Sequence, residues 1–348
     1  MAVTLRDVAK ALGVSHTTVS NAYNRPEKLS DHLRQKILGA AERMGYQGPD
    51  PLAAGLVRRQ AGALGVLFDE DLAYALADPA ALLFLHGVAR AGQDSALALT
   101  LLPGPRAGGD AELAARTALV DGFIVYSVAA GHPGFLAARR RDIPLVVVDE
   151  PAPPHGDDWM YLGVDDRGGA AQAARHLVDL GHRRIAVLVD RLTPGDRQGP
   201  VDTERLAATT YQVARERLAG YRSVLGDTPV IWECGGGSPE HAAPAARALL
   251  TGTDPVTAVL AMTDELARGV LRTAAVLGFD VPGDLSVIGF DDVPEAARTD
   301  PPLTTVRQPL ADKGVHAVEI LTGARTSEPG ERLPVRLVTR ATTAPPPD

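Results

Sequence analysis

Apolar residues in the first fifty positions recur at helical spacing in three short blocks. Val8, Ala9 and Leu12 form one, Val19 and Ala22 a second, and Leu33, Ile37, Ala40, Ala41 and Met44 a third. Thr4 precedes the first block as a cap, with Asp7 near the positive end of that helix. Ser15 caps the second, and Ser30 the third, over "DHLRQKILGAAERMGY". Between the first two, Gly13 supplies the permissive backbone of a sharp turn and Val14 plugs the angle. The pattern predicts a helix-turn-helix followed by a third helix.

From Ala63 the pattern changes to apolar runs alternating with Ala/Leu-rich helical segments. "ALGVLF", "ALALTLL", "DGFIVY", "IPLVVVD" and "YLGVDD" are spaced as parallel strands. After "GGAAQAARHLVDLGH" a second series follows: "RIAVLVD", "TPVIWE", "VTAVLAM" and "DLSVIGFD". The two series predict two doubly wound lobes of similar plan. A cleft is expected at the carboxyl ends of their strands, where small ligands bind.

Composition adds where these units work. At 348 residues the chain holds more than one domain, and no apolar run reaches the ~18 residues of a membrane span. The opening "MAVTLRDVAKALGV" lacks a signal-peptide pattern. The single cysteine, Cys234, leaves no intramolecular disulfide and suits a reducing compartment. The expected location is cytoplasmic, with no membrane partner. Charge is unevenly spread: residues 1–60 hold nine Lys/Arg against five Asp/Glu, a net of +4 within a chain of net −8. A basic head on an acidic body points to a polyanion partner for the head alone.

The outward residues of the second helix suit that partner. His16, Thr17 and Asn21 are short polar groups able to reach base edges in a major groove. Asparagine makes paired bonds to adenine, and threonine offers a hydroxyl and a methyl. Thr4, Ser15, Thr18, Asn24 and Ser30 are candidate phosphate ligands, with Leu5 beside them. The other reading is a small helical bundle whose Ser and Thr are only caps. The linker "GPDPLAAGLVRRQAG" begins with a good helix start, Asp50-Pro51. About two turns of helix are expected there, marginal in isolation and weakened by Gly55.

"VTLRDVAKALGVSHTTVSNAYN", "LS" and "AAERMGY" closely resemble the headpiece of the lactose-repressor/galactose-repressor (LacI/GalR) family of transcription factors. "GVDDRGGAAQAARHLVDLGHRRIAVL", "RLAGYRSVL" and "PPLTTVRQP" carry the resemblance on to about residue 343. The resemblance implies a small all-α helix-turn-helix headpiece (1–47), a hinge helix or linker (48–61) and an α/β periplasmic-binding-protein-like body (62–343), with a tail at 344–348. It places the base readers on His16, Thr17 and Asn21, the last a departure from the arginine of many members. It places on Leu56 a leucine that wedges into the minor groove. Three crossings between lobes are implied, near Val164, Asp291 and Thr326. The first lobe is then about 62–164 plus 292–325, and the second about 165–291 plus 326–343.

In the body, the resemblance implies effector contacts at Arg217 and at Asp291, with Phe290 beside it. Asp264 and Asp149 also follow strands, where aspartate otherwise caps the next helix. The segment "DEDLAYALADPAALLFL" is longer than usual for the family and has Ala80 and Ala81 where many members place aromatics. Tyr74 then either supplies the ring or is loop packing. Residues 190–220 hold a long polar loop, a candidate lid. His182 reads as a structural helix-end histidine, and "CGGGS" at 234–238 as a turn. No nucleophile elbow, phosphate loop or metal cluster emerges, so neither catalysis nor a cofactor is expected. The chain reads as an effector-controlled repressor, a homodimer on a palindromic double-stranded DNA operator, with a sugar as the best guess for its effector. The alternative is a sugar-binding receptor without a DNA function.

Overall fold

The computed structural model describes residues 3–48, 60–104, 110–154, 159–227 and 229–347. The chain forms two compact units, Met1–Gly62 and Ala63–Asp348.

The first unit is a three-helix headpiece: α1 (Leu5–Leu12), α2 (His16–Asn24) and α3 (Asp31–Arg43). Its helices start where the sequence predicts. Thr4 and Asp7 form a reciprocal capping box, and the hydroxyls of Ser15 and Ser30 accept from the amides of Thr18 and Leu33. Gly13 closes α1 at φ 66°, a left-handed conformation that costs glycine little. Val8, Val19, Ile37 and Ala41 are fully buried between the helices. A 3-10 turn, Pro26–Lys28, joins α2 to α3.

The second unit has two lobes. The first runs β1 (Ala63–Phe68), α4 (Leu72–Ala75), α5 (Pro79–Asp94), β2 (Ala98–Leu102), α6 (Ala111–Thr117), β3 (Gly122–Tyr126), α7 (Pro133–Arg139), β4 (Leu145–Val148) and β5 (Met160–Val164). The second begins with α8 (Asp166–Asp179), β6 (Ile185–Val189), β7 (Gly199–Pro200), α9 (Thr203–Ala207), α10 (Gln212–Leu225) and β8 (Val230–Glu233). It continues through α11 (Pro239–Thr251), β9 (Ala258–Ala261), α12 (Asp264–Leu277), β10 (Ser286–Asp291) and β11 (Thr304–Arg307). Then come α13 (Leu310–Thr322), β12 (Glu331–Leu333) and β13 (Arg336–Val338). One sheet has the order β12-β5-β4-β3-β1-β2 and the other β13-β11-β10-β9-β6-β8-β7. Setting aside the short edge strands, both follow one doubly wound order, reversing beside their first strand. β1, β4, β6, β9 and β10 are buried along their whole length, as parallel strands covered on both faces must be.

Sheet membership corrects two of the expected crossings. The first follows Val164, since β5 and α8 belong to different lobes. Past Asp291, however, the chain stays in the second sheet: "LTTVR" supplies β11, parallel to β10, and the crossing falls at Gln308. Past Thr326 it stays in the first sheet, because β12 pairs with β5 and only β13 returns to β11. The lobes are therefore 63–164 with 310–333, and 165–307 with 335–343. The tail begins tied down. Buried His182 bonds the carbonyl of Ala344 at 2.8 Å and the hydroxyls of Thr257 and Ser286.

The principal helix pairs meet backbone to backbone through glycine. A β-carbon on Gly87 or Gly314 would overlap the carbonyl of Ala311 or Phe84 across the α5–α13 contact. Gly220 lies as close to Arg167 of α8, and Gly269 to Pro239 of α11. Gly314→Ala is expected to destabilise the body by ~1–3 kcal/mol through overpacking. Urea unfolding followed by circular dichroism checks this, and an unchanged midpoint contradicts it.

Candidate functional site

Two surfaces carry the chemistry. On the headpiece, α2 buries Val19 and Ala22 and leaves His16 and Thr17 exposed with Asn21 half-exposed. A helix with one face in the core presents the other outward, so the three expected base readers share that outer side. Thr4, Ser15 and Ser30 are exposed but already cap helices, and Ser15 also bonds the Thr18 hydroxyl at 2.8 Å. The Asn24 amide bonds Ser20. Leu5 is half-buried and packs against the headpiece core. Leu56, with Gly55 and the proposed hinge helix, lies outside the described residues.

In the body, each sheet reverses its strand order beside its first strand, which leaves a crevice at the carboxyl ends. The residues leaving β1 and β3 (Phe68 to Glu70, Tyr126, Ser127) face those leaving β6 and β9 (Asp190, Arg191, Met262, Thr263). They enclose a cavity of about 280 Å³. Non-glycine residues with left-handed backbone gather here. Ser127 (φ 47°), Asp149 (69°), Asp291 (120°) and Asp292 (59°) all end strands at the cleft, leaving Ala96 as the fifth among the described residues. Such conformations cost ~1–3 kcal/mol each and persist where surrounding structure imposes them.

Of the expected effector residues, Arg217, Asp291, Asp149 and Tyr74 line the cavity. Arg217 projects from α10 over the ring of Phe290, 3.6 Å from its centroid. Its Nε donates to Asp166 at 2.8 Å, and Nη1 stands 4.0 Å from Asp291. Phe290 is thus a buried platform under the guanidinium, behind the cavity lining. Asp264 is also set back: it is fully buried, and its oxygens accept from the Val293 amide at 2.9 Å and the Thr305 hydroxyl at 2.5 Å. It anchors β10 and β11 to α12 and takes the structural role open to an aspartate after a strand. Tyr74 bridges the lobes, its hydroxyl accepting from the Gly237 amide at 2.9 Å.

Several residues here went unnoticed in the sequence. Lys313, fully buried on α13, donates to both oxygens of Asp149 (2.8 and 2.6 Å) and to Gln308 Oε1 (2.7 Å). Gln308 Nε2 donates onward to Asp291 at 2.6 Å. The Tyr211 hydroxyl donates to Asp69 across the cleft at 2.6 Å, and Arg191 pairs with Glu70. Glu150 accepts from Ser127 and from the Val213 amide of the opposite lobe. One signal was present: Lys313 shares the helical stripe of Leu310, Gly314, Ala317 and Val318, where a charge demands a buried partner. The 190–220 segment carries β7 and α9 and is held by both lobes: by its own through Arg205 on buried Glu233 and Thr210 on the Leu192 carbonyl, and by the opposite one through Arg191, Tyr211 and Val213.

Residues 4–48 match the family described as bacterial regulatory proteins, lacI family, and residues 174–343 the periplasmic binding protein-like domain. The HTH-type transcriptional regulator IpsA of Corynebacterium glutamicum is 44% identical over 327 residues, spanning 91% of this chain and 90% of that one. The lac repressor dimer bound to operator and the anti-inducer ONPF is similar in structure, with a TM-score of 0.77 and 25% identity over 99% of this chain and 100% of that chain. A complex of the transcriptional regulator CelR with cellobiose has a TM-score of 0.69 and 25% identity, covering 98% and 100%.

Burial dominates the acids of the cleft. It pushes Glu150 up to about 8, against the pull of the Val213 amide, and Asp291 up to about 7 despite Arg217 and Gln308. Asp78, which caps α5, is raised to about 6 by the same cause. Each holds its proton more tightly folded than unfolded, so the folded chain binds extra protons and stability falls as pH rises. The urea midpoint is expected to decline from about pH 5 to about pH 8 and then level, with Glu150→Gln flattening the upper part of the slope. A midpoint that climbs over this range contradicts the assignment.

Proposed function

This chain belongs to the lacI family of bacterial regulatory proteins, and we propose that it is a repressor, binding a palindromic operator as a homodimer under control of a small sugar in the cleft. It is a DNA-binding transcriptional regulator by family. The observation that carries the finer reading is the pairing of the α2 surface (His16, Thr17, Asn21) with a body that closes two lobes around a polar cavity. The structurally similar lac repressor, a dimer bound to operator, supports twofold binding, since twofold protein matches twofold DNA. Cellobiose in the CelR complex supports a sugar.

The mechanism needs the effector to favour one arrangement of the lobes. A tenfold change in operator affinity requires only ~1.4 kcal/mol of difference between the two arrangements. Contacts that cross the cleft, among them Tyr211 to Asp69, Arg191 to Glu70, Val213 to Glu150 and Gly237 to Tyr74, are the ones that differential binding would strengthen or break. The protein acts in the cytoplasm, by binding and without a cofactor. Among the described residues, no helix is long and apolar enough to cross a membrane.

Operator selection from random duplexes, with sedimentation to count subunits, tests the whole reading. A monomer, or no preference among sequences at physiological salt, refutes it. Asn21→Ala is expected to relax base choice at one position of each half-site, at a cost of ~1–3 kcal/mol, and unchanged discrimination in a shift assay removes it as a reader. Arg217→Lys keeps the charge facing Asp166 and Asp291 but loses the fork. It should weaken effector binding at least tenfold by calorimetry while operator affinity is retained; undiminished effector binding rejects the role.

A further inference from the structure

The walls of the cleft constrain which small molecules it accepts, and they do so through charge. Among the described residues, eight carboxylates and two guanidiniums line the cavity. Both guanidiniums are already engaged. Arg191 is held by Glu70 and the Gly235 carbonyl, and Arg217 by Asp166 and the Met262 carbonyl with Asp291 alongside. The nearby ammonium of Lys313 spends its three hydrogens on Asp149 and Gln308. Glu265 is paired with Arg268 of its own helix, and the remaining acids are met by neutral donors. Asp69 accepts from the Tyr211 hydroxyl and the Ala129 amide, and Glu150 from Ser127 and Val213. Neutral donors do not cancel a carboxylate's charge, although burial already favours the protonated form of Glu150 near neutral pH. Asp190, at the end of β6, adds a further carboxylate to the same wall.

We infer that the cleft takes a non-anionic molecule rich in hydrogen-bond donors, a neutral polyhydroxylated ring or its amine-bearing counterpart, and rejects phosphate esters and carboxylic acids. The inference rests on reading the cleft as the effector site. It narrows that reading, because a sugar and its phosphate are equally sugars but not equally welcome here. An anionic group placed ~5 Å from one uncompensated carboxylate, at an effective dielectric of ~20, loses a factor of ~100 or more in affinity. A hydroxyl donating to a carboxylate makes instead one of the stronger classes of hydrogen bond. The cavity, at about 280 Å³, lies near the lower end of ligand pockets (~300 Å³), which suits a molecule of one ring.

The test screens the full chain by thermal shift, then calorimetry, against matched sets. Each set holds a neutral sugar or cyclic polyol, its phosphate ester, its carboxylic acid and its amino derivative. Every binder is then added to the operator complex. Binders are expected among the neutral and amino members, with the matching phosphate or acid at least 100-fold weaker. Asp190→Asn should narrow that gap ~10-fold by removing one charge, a readout that simple loss of packing does not move; Asp69→Asn serves if that variant fails to fold. A phosphate ester or acid bound as tightly as its neutral parent overturns the inference, as does a gap unmoved in both variants. A neutral binder that leaves operator affinity unchanged overturns the effector reading while the charge rule stands. Silence across the whole panel overturns both.

Discussion

An ammonium with no exposure to water survives only where every hydrogen finds an acceptor and its charge a partner, and Lys313 meets that condition at the joint between the lobes. Its helix is the first element after the chain crosses at Gln308. The lysine thus ties the end of β4, through Asp149, to the crossing itself. Gln308 hands the connection to Asp291 at the end of β10, and Asp291 faces Arg217, which is bonded to Asp166. The floor of the cleft is one polar chain running from first lobe to second. No member can shift alone without leaving a buried charge unpaired, which costs ~3–5 kcal/mol. The left-handed backbone at Asp149 and Asp291 is held by the same chain. A lobe rotation therefore has to move the whole set, and a ligand at either carboxylate touches it directly.

The headpiece obeys a different economy. Its core is a few small apolar side chains, and its helix starts are fixed by Thr4, Ser15 and Ser30 acting on neighbouring amides. Because capping and packing occupy one side, the outward face of α2 is free to carry residues chosen for chemistry. The head is basic and the body acidic, so a polyanion is drawn to the first and repelled by the second. The same acidic excess reaches into the cleft, where it sets the charge of what can enter.

Local rules made much of this legible. Caps, the Gly13 turn and the helical stripes fixed α1 to α3. Nine apolar runs fixed the strands that carry both sheets, and Arg217, Asp149, Asp291 and Tyr74 were found at the cavity they were expected to line. β11 escaped notice because "LTTVR" is short and polar beside a proline pair, and it earns its place only by pairing with β10 and β13. The late crossings shifted with it. Asp264 and Phe290 sit one layer behind the cavity. Whether an aspartate after a strand faces a ligand or a backbone amide depends on what the following loop brings back to it.

What the sequence determined by itself was the order of elements, their caps, the duplicated plan and the opposite charges of head and body, since each depends on residues within a few positions of one another. Tertiary structure alone decided which carboxylates converge and which cation answers them. Lys313 and Asp149 are far apart along the chain, as are Tyr211 and Asp69, and only the packing of α13 on one lobe and α10 beside the other brings them within bonding distance. Spacing along a chain encodes local geometry, whereas the field inside a cleft is the sum over every wall that encloses it.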